Sequence, residues 1–519
     1  MPDHYWQPEI ECAPLAEIVA GLEARLARDG DDLLTRAACS PLYRARWQAA
    51  EVDPAAIRSY ADLQRVPFTG PAELRQAQAA HHPDEFVCSR RPPRYWFSTS
   101  GSTGVPKWIP VSAADLDLAR EVGYRGSYLD PDMTRPGDVA FGVSAPAPFI
   151  SDALLWPTLV NELRGRGPQD VARTEAVVFS FESGVEGVAM AIKRKATIFL
   201  AFPSLVMRIA EGITENAGKI ARQQLRAHFS VINLLAFLLT RVVKVKARRV
   251  MPVRVGVFAG EPLEPYRQAL DDAWGLKQAF NSYTFTEFGI ASTECWAHEG
   301  LHLWLDVALA ELIPQAELTR EHEEPGYTPA ARPLWAAAAG DEGELVITHW
   351  GDAFPLVRWR TGDLVRVVST APCRCGRTHP RIEVLQRSDD LVNLGIIRFS
   401  TFTLKVQLDA VQQPAAVARW QLRVGRRGYK PLLTVHVKPA GPADEHAMRE
   451  AVKAAVLRLE VLRMGSENGL VCEPVVEIVP DLGDRVSSSG KFRPLVYETD
   501  RSRPDDDCTP PRGPAGRRR

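Results

Sequence analysis

Residues 138–259 carry the pattern that restricts the fold most. Apolar runs of strand length at 138–144, 176–179, 197–202 and 253–259 alternate with segments of helical spacing, among them 152–163 and 203–213. Such alternation predicts an α/β domain with a largely parallel sheet, because each parallel pairing needs a crossover connection. Ligands of such sheets sit beyond the C-terminal ends of the strands. The loop after Phe97 and the turn at Gly260 both leave strand ends of that kind.

The rest of the chain divides around this core. Residues 1–94 read as a helical lead, with apolar residues at helical spacing from Leu15 to Leu26 and a turn-and-helix start at Pro67–Arg75 capped by Thr69. From about residue 340 to 387 the pattern changes to shorter β segments with Gly and Asp turns, which suits a small β subdomain. Residues 1–387 then form one large domain. Residues 388–500 read as a separate α+β domain, with half-exposed strands at 420–424 and 432–437, an amphipathic helix at 446–461 and a strand at 475–479. Residues 501–519, rich in Arg, Pro, Asp and Gly, read as a disordered tail. A length of 519 residues is ample for two or three domains.

Charge excludes some classes of partner. Lys+Arg total 63 against 64 Asp+Glu, so no global field recommends a nucleic acid. No uninterrupted apolar run reaches the roughly 18–20 residues of a spanning helix. The run at 231–239, followed by Arg241, Lys244, Lys246, Arg248 and Arg249, reads as a buried helix with a basic end. The first residues lack the basic and apolar regions of a secretory leader. Eight cysteines in so long a chain fit a reducing, cytoplasmic setting rather than a disulfide scaffold.

The run Tyr95-Trp-Phe-Ser-Thr-Ser-Gly-Ser-Thr-Gly-Val-Pro-Lys107 passes from an aromatic strand into a loop of hydroxyls and glycines. Glycines let backbone N–H groups approach an anion, hydroxyls add donors, and Lys107 adds a positive charge. The combination suits a triphosphate. It is not a Walker loop, because Pro106 precedes the lysine and no Ser or Thr follows it. By composition alone the same residues would also make a surface turn. Farther along, Cys295, His302, Cys373 and Cys375 offer three thiolates and one imidazole, a donor set for a closed tetrahedral Zn2+ site. Buried thiols without metal are the alternative, and His298 and His379 are substitute ligands.

The order Ser-Thr-Ser-Gly-Ser-Thr-Gly-Val-Pro-Lys resembles the phosphate-binding signature of the adenylate-forming superfamily, which holds acyl-CoA synthetases, luciferases and peptide-synthetase adenylation domains. Pro41-Leu-Tyr-Arg and Val66-Pro-Phe-Thr resemble the lead of its phenylacetate–CoA ligase branch. The resemblance implies that Thr99, Ser100, Gly101, Ser102, Thr103, Gly104 and Lys107 bind phosphate. Phe258-Ala-Gly-Glu-Pro resembles the adenine-side turn and implies a role for Gly260, Glu261 and Pro262. Phe280-Asn-Ser-Tyr-Thr-Phe-Thr-Glu resembles a motif that puts Tyr283 near adenine, Thr286 on the α-phosphate and Glu287 on Mg2+. Trp359-Arg-Thr-Gly-Asp resembles the ribose-binding motif, which falls on Asp363; an ionised carboxylate can accept both hydrogen bonds of a diol. Gln386-Arg-Ser-Asp resembles the domain junction, with Arg387 facing ribose or phosphate and Asp389 as the hinge, though Gln386 stands where glycine is usual. Ser487-Ser-Ser-Gly-Lys resembles the loop that delivers a catalytic lysine, here Lys491. The order Glu-Cys, Gly-Leu-His and Cys-x-Cys-Gly-Arg-Thr-His resembles zinc-bearing members of the branch.

These motifs follow the superfamily's order from residue 98 to 491. They imply activation of an organic carboxylic acid by ATP and Mg2+ as an acyl-adenylate. Transfer to a thiol, coenzyme A, would follow after the C-terminal domain rotates at Asp389 and withdraws Lys491. An amine acceptor and a non-catalytic nucleotide-binding relative are the alternative readings. The branch favours aryl and arylacetic acids, for which residues 141–156, with Phe149 and Trp156, offer a candidate apolar pocket. The sequence itself carries no signal of oligomeric state; the resemblance, to a superfamily whose members are often dimeric, implies a homodimer as one option.

Overall fold

The computed structural model describes residues 5–99, 107–130, 133, 135, 137–144, 175–180, 184–227, 230, 238, 246–260, 263–276, 278–387, 391–394, 397–427, 430–467, 471–480, 482 and 495–497. Described residues up to Arg387 form one compact unit and those from Leu391 onward a second.

The strands of the first unit are β1 Tyr95–Ser98, β2 Trp108–Val111, β3 Val139–Ser144, β4 Glu175–Ser180, β5 Ile198–Ala201, β6 Val255–Ala259 and β7 Gln278–Tyr283. They continue with β8 Ser292–Glu294, β9 Leu301–His302, β10 Ala308–Pro314, β11 Arg332–Pro333, β12 Glu342–His349, β13 Leu356–Ser369 and β14 Arg381–Arg387. All but β1 and β2 join one 12-stranded sheet, ordered β11-β10-β12-β13-β14-β9-β8-β7-β6-β5-β3-β4. The pairs β4–β3, β3–β5, β5–β6 and β6–β7 are parallel, as the alternation of strands and helices predicts. From β7 to β8 onward every pairing is antiparallel. The short β segments expected near 340–387 therefore continue the same sheet, and their change of pattern marks the change from crossovers to hairpins.

Two cores flank this sheet. In the parallel half, Phe141, Phe199, Phe258 and Trp274 pack under the helices Pro203–Ala227 and Arg267–Trp274. The first of these helices runs well past residue 213, because the sequence keeps apolar residues at helical spacing beyond it, at Ala217, Ile220, Ala221 and Leu225. In the antiparallel half, the lead packs its helices on the strands. Ile18, Leu22, Leu26, Leu33 and Ala37 form one stripe of the helix Leu15–Ala38 and meet Leu303, Leu309 and Trp359. Ser40 ends that helix's reach by capping the next, Pro41–Ala49, through the Leu42 N–H. The lead also joins the sheet: Thr69 bridges Trp359 in parallel, its N–H bonding the Arg358 carbonyl and its carbonyl accepting from the Arg360 N–H.

In the second unit, β17 Val417–Arg427 and β18 Lys430–Pro439 pair antiparallel at the centre of a 4-stranded sheet, flanked by β19 Val475–Ile478 and β20 Leu495–Tyr497. A hairpin of β15 Leu391–Leu394 and β16 Ile397–Ser400 precedes them. The helix expected at 446–461 divides into Glu445–Val456 and Glu460–Glu467, with a break at Leu457. Among the described residues, no helix is long and apolar enough to cross a membrane. The expected helix at 152–163, most of the run at 231–239 and the tail at 501–519 lie outside the described residues.

Candidate active site and metal centre

The antiparallel pair β1–β2 holds the ends of the hydroxyl–glycine segment. Ser98 faces Trp108 in the ladder. One residue inward, the Thr99 N–H donates to the Lys107 carbonyl and the Lys107 N–H donates to Thr99 Oγ1, each at 3.0 Å. Ser100, Gly101, Ser102, Thr103 and Gly104 lie outside the described residues. Lys107 does not extend into solvent: its Nζ lies 2.7 Å from Glu287 Oε1, with the two side chains 7% and 6% exposed. Burial of two charges costs solvation that only a close pairing offsets, so the short distance is what the burial demands.

Glu287 reaches that position because β7 ends at Tyr283 and the chain turns through Thr284–Phe288. Phe285 and Phe288 stack at 5.4 Å and anchor the turn to the core. The parallel neighbour β6 ends beside β7, which brings Gly260 to the same sheet edge; Glu261 and Pro262 lie outside the described residues. Thr286 and Glu287 border a cavity walled by Phe97, Ile109, Phe288 and Phe354. The pocket expected at 141–156 gains no wall from Phe141, which is core under Phe199; Phe149 and Trp156 lie outside the described residues.

Asp363 comes from the antiparallel half and meets the same turn. The Tyr283 hydroxyl donates to Asp363 Oδ2 at 2.6 Å. Asp363 is 3% exposed and sits in an irregular stretch of β13, directly opposite the backbone of Arg387 on β14. Lys107, Glu287, Tyr283 and Asp363 thus form one continuous set, joined by an ion pair, a five-residue strand-turn and a hydrogen bond. Asp389 and Lys491 lie outside the described residues.

A second cluster lies where β8, β9 and the β13–β14 turn meet. Cys295, His302, Cys373 and Cys375 are all buried, and their ligating atoms lie within 4.8 Å of one another. Metal–sulfur bonds of about 2.3 Å and metal–nitrogen bonds of about 2.0 Å in a tetrahedron place S···S near ~3.8 Å and S···N near ~3.5 Å. The Cys295 and Cys373 sulfurs are 3.7 Å apart, and Cys375 Sγ is 3.5 Å from His302 Nε2. Proton chemistry agrees with that donor set. Hydrogen bonding to Cys373 and Cys375, and then burial, push the Cys295 thiol up. Hydrogen bonding from Cys295, and then from Cys373, drives Cys375 down to about 2. One proton-sharing set cannot ionise all three thiols, whereas a dication would let each become a thiolate. Burial lowers His302 and keeps it neutral, the form that ligates.

The substitute ligands are engaged elsewhere. His298 stacks on Phe280 and faces Glu294 at 3.3 Å. His379 accepts from the Leu305 N–H and reaches the Ile10 carbonyl. Around the cluster, Arg377 and Arg381 point Nη1 at Cys375 Sγ and Cys373 Sγ, at 3.8 and 3.6 Å. Arg377 is held by buried Glu11, at 2.7 Å, and Tyr5 Oη donates to the Cys375 carbonyl. The N-terminal residues thus strap the cysteine turn.

Phenylacetate-coenzyme A ligase from Thermus thermophilus is 27% identical over 508 residues, covering 95% of this chain and 99% of that protein. The chain is similar, nearly end to end, to a phenylacetate–CoA ligase, in keeping with the resemblance its motifs carry to that branch of the adenylate-forming superfamily. No family model matches it. Among solved structures, a 2-hydroxyisobutyryl-CoA ligase in the postadenylation state has a TM-score of 0.67 at 21% identity, covering 95% of this chain and 92% of that one. An acyl acid amido synthetase, GH3.15, has a TM-score of 0.64 at 13% identity, covering 94% and 93%. At these identities the two solved structures show the shared fold.

The sequence motifs named Lys107, Tyr283, Thr286, Glu287 and Asp363, and the structure brings Lys107 to Glu287 and Tyr283 to Asp363. Motif reading missed Glu11, Arg377, Arg381 and Glu344. The first three surround the cluster; Arg377, two residues after Cys375, was the one visible signal, an arginine placed to donate to thiolate. Glu344 lies on a strand of its own and carries no motif letter.

Proposed function

We propose that the protein activates an organic carboxylic acid with ATP and passes the acyl group to coenzyme A. The observation that carries the reading is the convergence of Lys107, Glu287, Tyr283 and Asp363, drawn from three distant stretches of sequence, into one linked set. A carboxylate oxygen of the acid attacks the α-phosphorus of ATP, the bond to pyrophosphate breaks, and an acyl-adenylate forms. The coenzyme A thiolate then attacks the acyl carbon, and AMP leaves with the electron pair of the broken C–O bond. No protein nucleophile is required; alignment and charge stabilisation carry the catalysis.

Asp363 accepts the ribose hydroxyls, and Tyr283 packs by the adenine while orienting that carboxylate. Thr286 and the segment from Thr99 to Gly104 donate to phosphate oxygens. Glu287 fits Mg2+, since one carboxylate plus phosphate oxygens is an ordinary set for that ion, which supplies charge neutralisation. The Lys107 ammonium, 2.7 Å from Glu287, would supply positive charge to the departing pyrophosphate. Lys491 bridges the carboxylate and the α-phosphate. Cys295, His302, Cys373 and Cys375 would hold a structural Zn2+ where β8, β9 and the β13–β14 turn meet.

The fold houses a CoA ligase and an amido synthetase alike, so it does not choose the acceptor. The curated relative that matches nearly end to end is named for coenzyme A, which supports that thiol, and phenylacetate is the first acid to try. Acid-dependent ATP–pyrophosphate exchange tests the first step, and mass spectrometry with coenzyme A or an amine tests the second. A wild-type chain that releases no pyrophosphate with any of a broad panel of acids rejects the reading. Lys491→Ala should abolish adenylate formation while sparing thioester formation from a supplied adenylate.

A further inference from the structure

From the geometry around Asp363 we infer that Glu344 is a positioning residue for the nucleotide's ribose, an inference that rests on the reading of Asp363 as the ribose acceptor. Register along β12 and β13 pairs Glu344 with Leu364 but Val346 with Arg360. Thr361, Gly362 and Asp363 therefore bulge opposite the single residue Leu345. A bulge takes backbone groups out of the ladder, and buried ones must find partners elsewhere.

Side chains supply those partners. The Gly362 N–H donates to Glu344 Oε1 at 3.1 Å, and the Asp363 N–H donates to Thr361 Oγ1 at 3.1 Å. The Thr361 hydroxyl donates to the Leu345 carbonyl at 2.8 Å. The second oxygen of Glu344 accepts from Arg360 Nε and Nη2 at 2.9 and 2.5 Å. Arg360 continues to Glu321 at 2.6 and 3.0 Å. Glu344 thus grips the bulge on both sides of Thr361, at the residue before it and at the residue preceding Asp363. It does so from a buried position, 5% exposed. Gly362 sits at φ +73°, a conformation that side-chain-bearing residues rarely hold, so the turn needs both the glycine and its acceptor.

Without Glu344 the Gly362 N–H loses its acceptor and Arg360 keeps only Glu321. The bulge then relaxes, and the Asp363 carboxylate drifts from the point where Tyr283 meets it. Misplacement of a bidentate acceptor costs recognition of the diol it was set to receive.

The test compares ATP with 2′,3′-dideoxy-ATP, which lacks both hydroxyls, by calorimetry on the full chain. Wild type should prefer ATP. In Glu344→Ala that preference should fall by about tenfold or more, as expected when hydrogen bonds to a charged group are lost. Glu344→Gln, which keeps an acceptor for the Gly362 N–H, should restore most of it. If the alanine variant does not fold, Glu344→Asp replaces it, since its shorter arm cannot reach Gly362. A purely structural role would lower stability in these variants but leave the preference unchanged, and that result overturns the inference. A wild-type chain indifferent to the hydroxyls would overturn the reading of Asp363 as well.

Discussion

Replacing Lys107 by methionine should strand the Glu287 carboxylate in a buried site. The two groups meet at 2.7 Å with side chains 7% and 6% exposed, which places them among buried pairs. Removing one partner of such a pair costs about 3–5 kcal/mol, because the remaining charge has neither water nor a counter-ion. The exposed pair Arg449–Glu445, with side chains 46% and 65% exposed, gives the contrast. Its loss is worth roughly 0.3–0.5 kcal/mol. Urea unfolding followed by tryptophan fluorescence reads the effect in the correct unit, since every tryptophan but Trp420 lies before residue 388. The double variant Lys107→Met/Glu287→Leu should return to within about 1 kcal/mol of wild type, because two apolar side chains are cheaper to bury than one bare charge. A single variant within ~1 kcal/mol of wild type would refute the reasoning. So would a double variant as unstable as the single one.

Three further outcomes are expected. Asp363→Asn should weaken ATP binding by about tenfold or more in calorimetry, since a charged acceptor becomes neutral; unchanged affinity removes Asp363 from the ribose. Protein purified without chelator should carry about one Zn2+ per chain, and Cys373→Ser should lose it; plasma emission analysis that finds no zinc in the wild type rejects the metal centre. Burial, reinforced by Arg125 and opposed by Asp306, pushes His379 down to about 4. An unfolded imidazole takes its proton near pH 6.5, so between there and pH 4 the unfolded chain binds the extra proton. Stability should then fall as pH drops through that window, by roughly 3 kcal/mol in all. His379→Gln should flatten this part of the urea-midpoint profile, and an unaltered slope would show that other groups set it.

Periodicity and motif order made much of this legible in advance. The parallel strands β3, β4, β5 and β6 each carry an apolar run, the signature of a strand covered on both faces. Lys107, Glu287, Tyr283 and Asp363 stood in motifs whose residue types suit phosphate, magnesium and a ribose diol. Other features were less legible. The helix from Pro203 continues past residue 213 because Gly212, Asn216 and Gly218, poor helix formers, only interrupt an apolar spacing that resumes at Ala217, Ile220, Ala221 and Leu225. The strands after residue 340 extend the main sheet, a matter of edge pairing that no window of sequence contains.

The amino-acid order by itself determined which residues could do chemistry, since a carboxylate, a thiolate or a glycine at positive φ has its capacities wherever it stands. It also determined the local elements, because hydrophobic spacing acts between near neighbours. The tertiary structure alone decided who meets whom. It paired Lys107 with Glu287, set Tyr283 on Asp363, chose His302 over His298 and His379 for the cysteine cluster, and brought Glu344 under a bulge on the neighbouring strand. These are contacts between residues far apart in the chain, and their energies depend on burial and distances of a few ångströms that arise only once the sheet has closed over its cores.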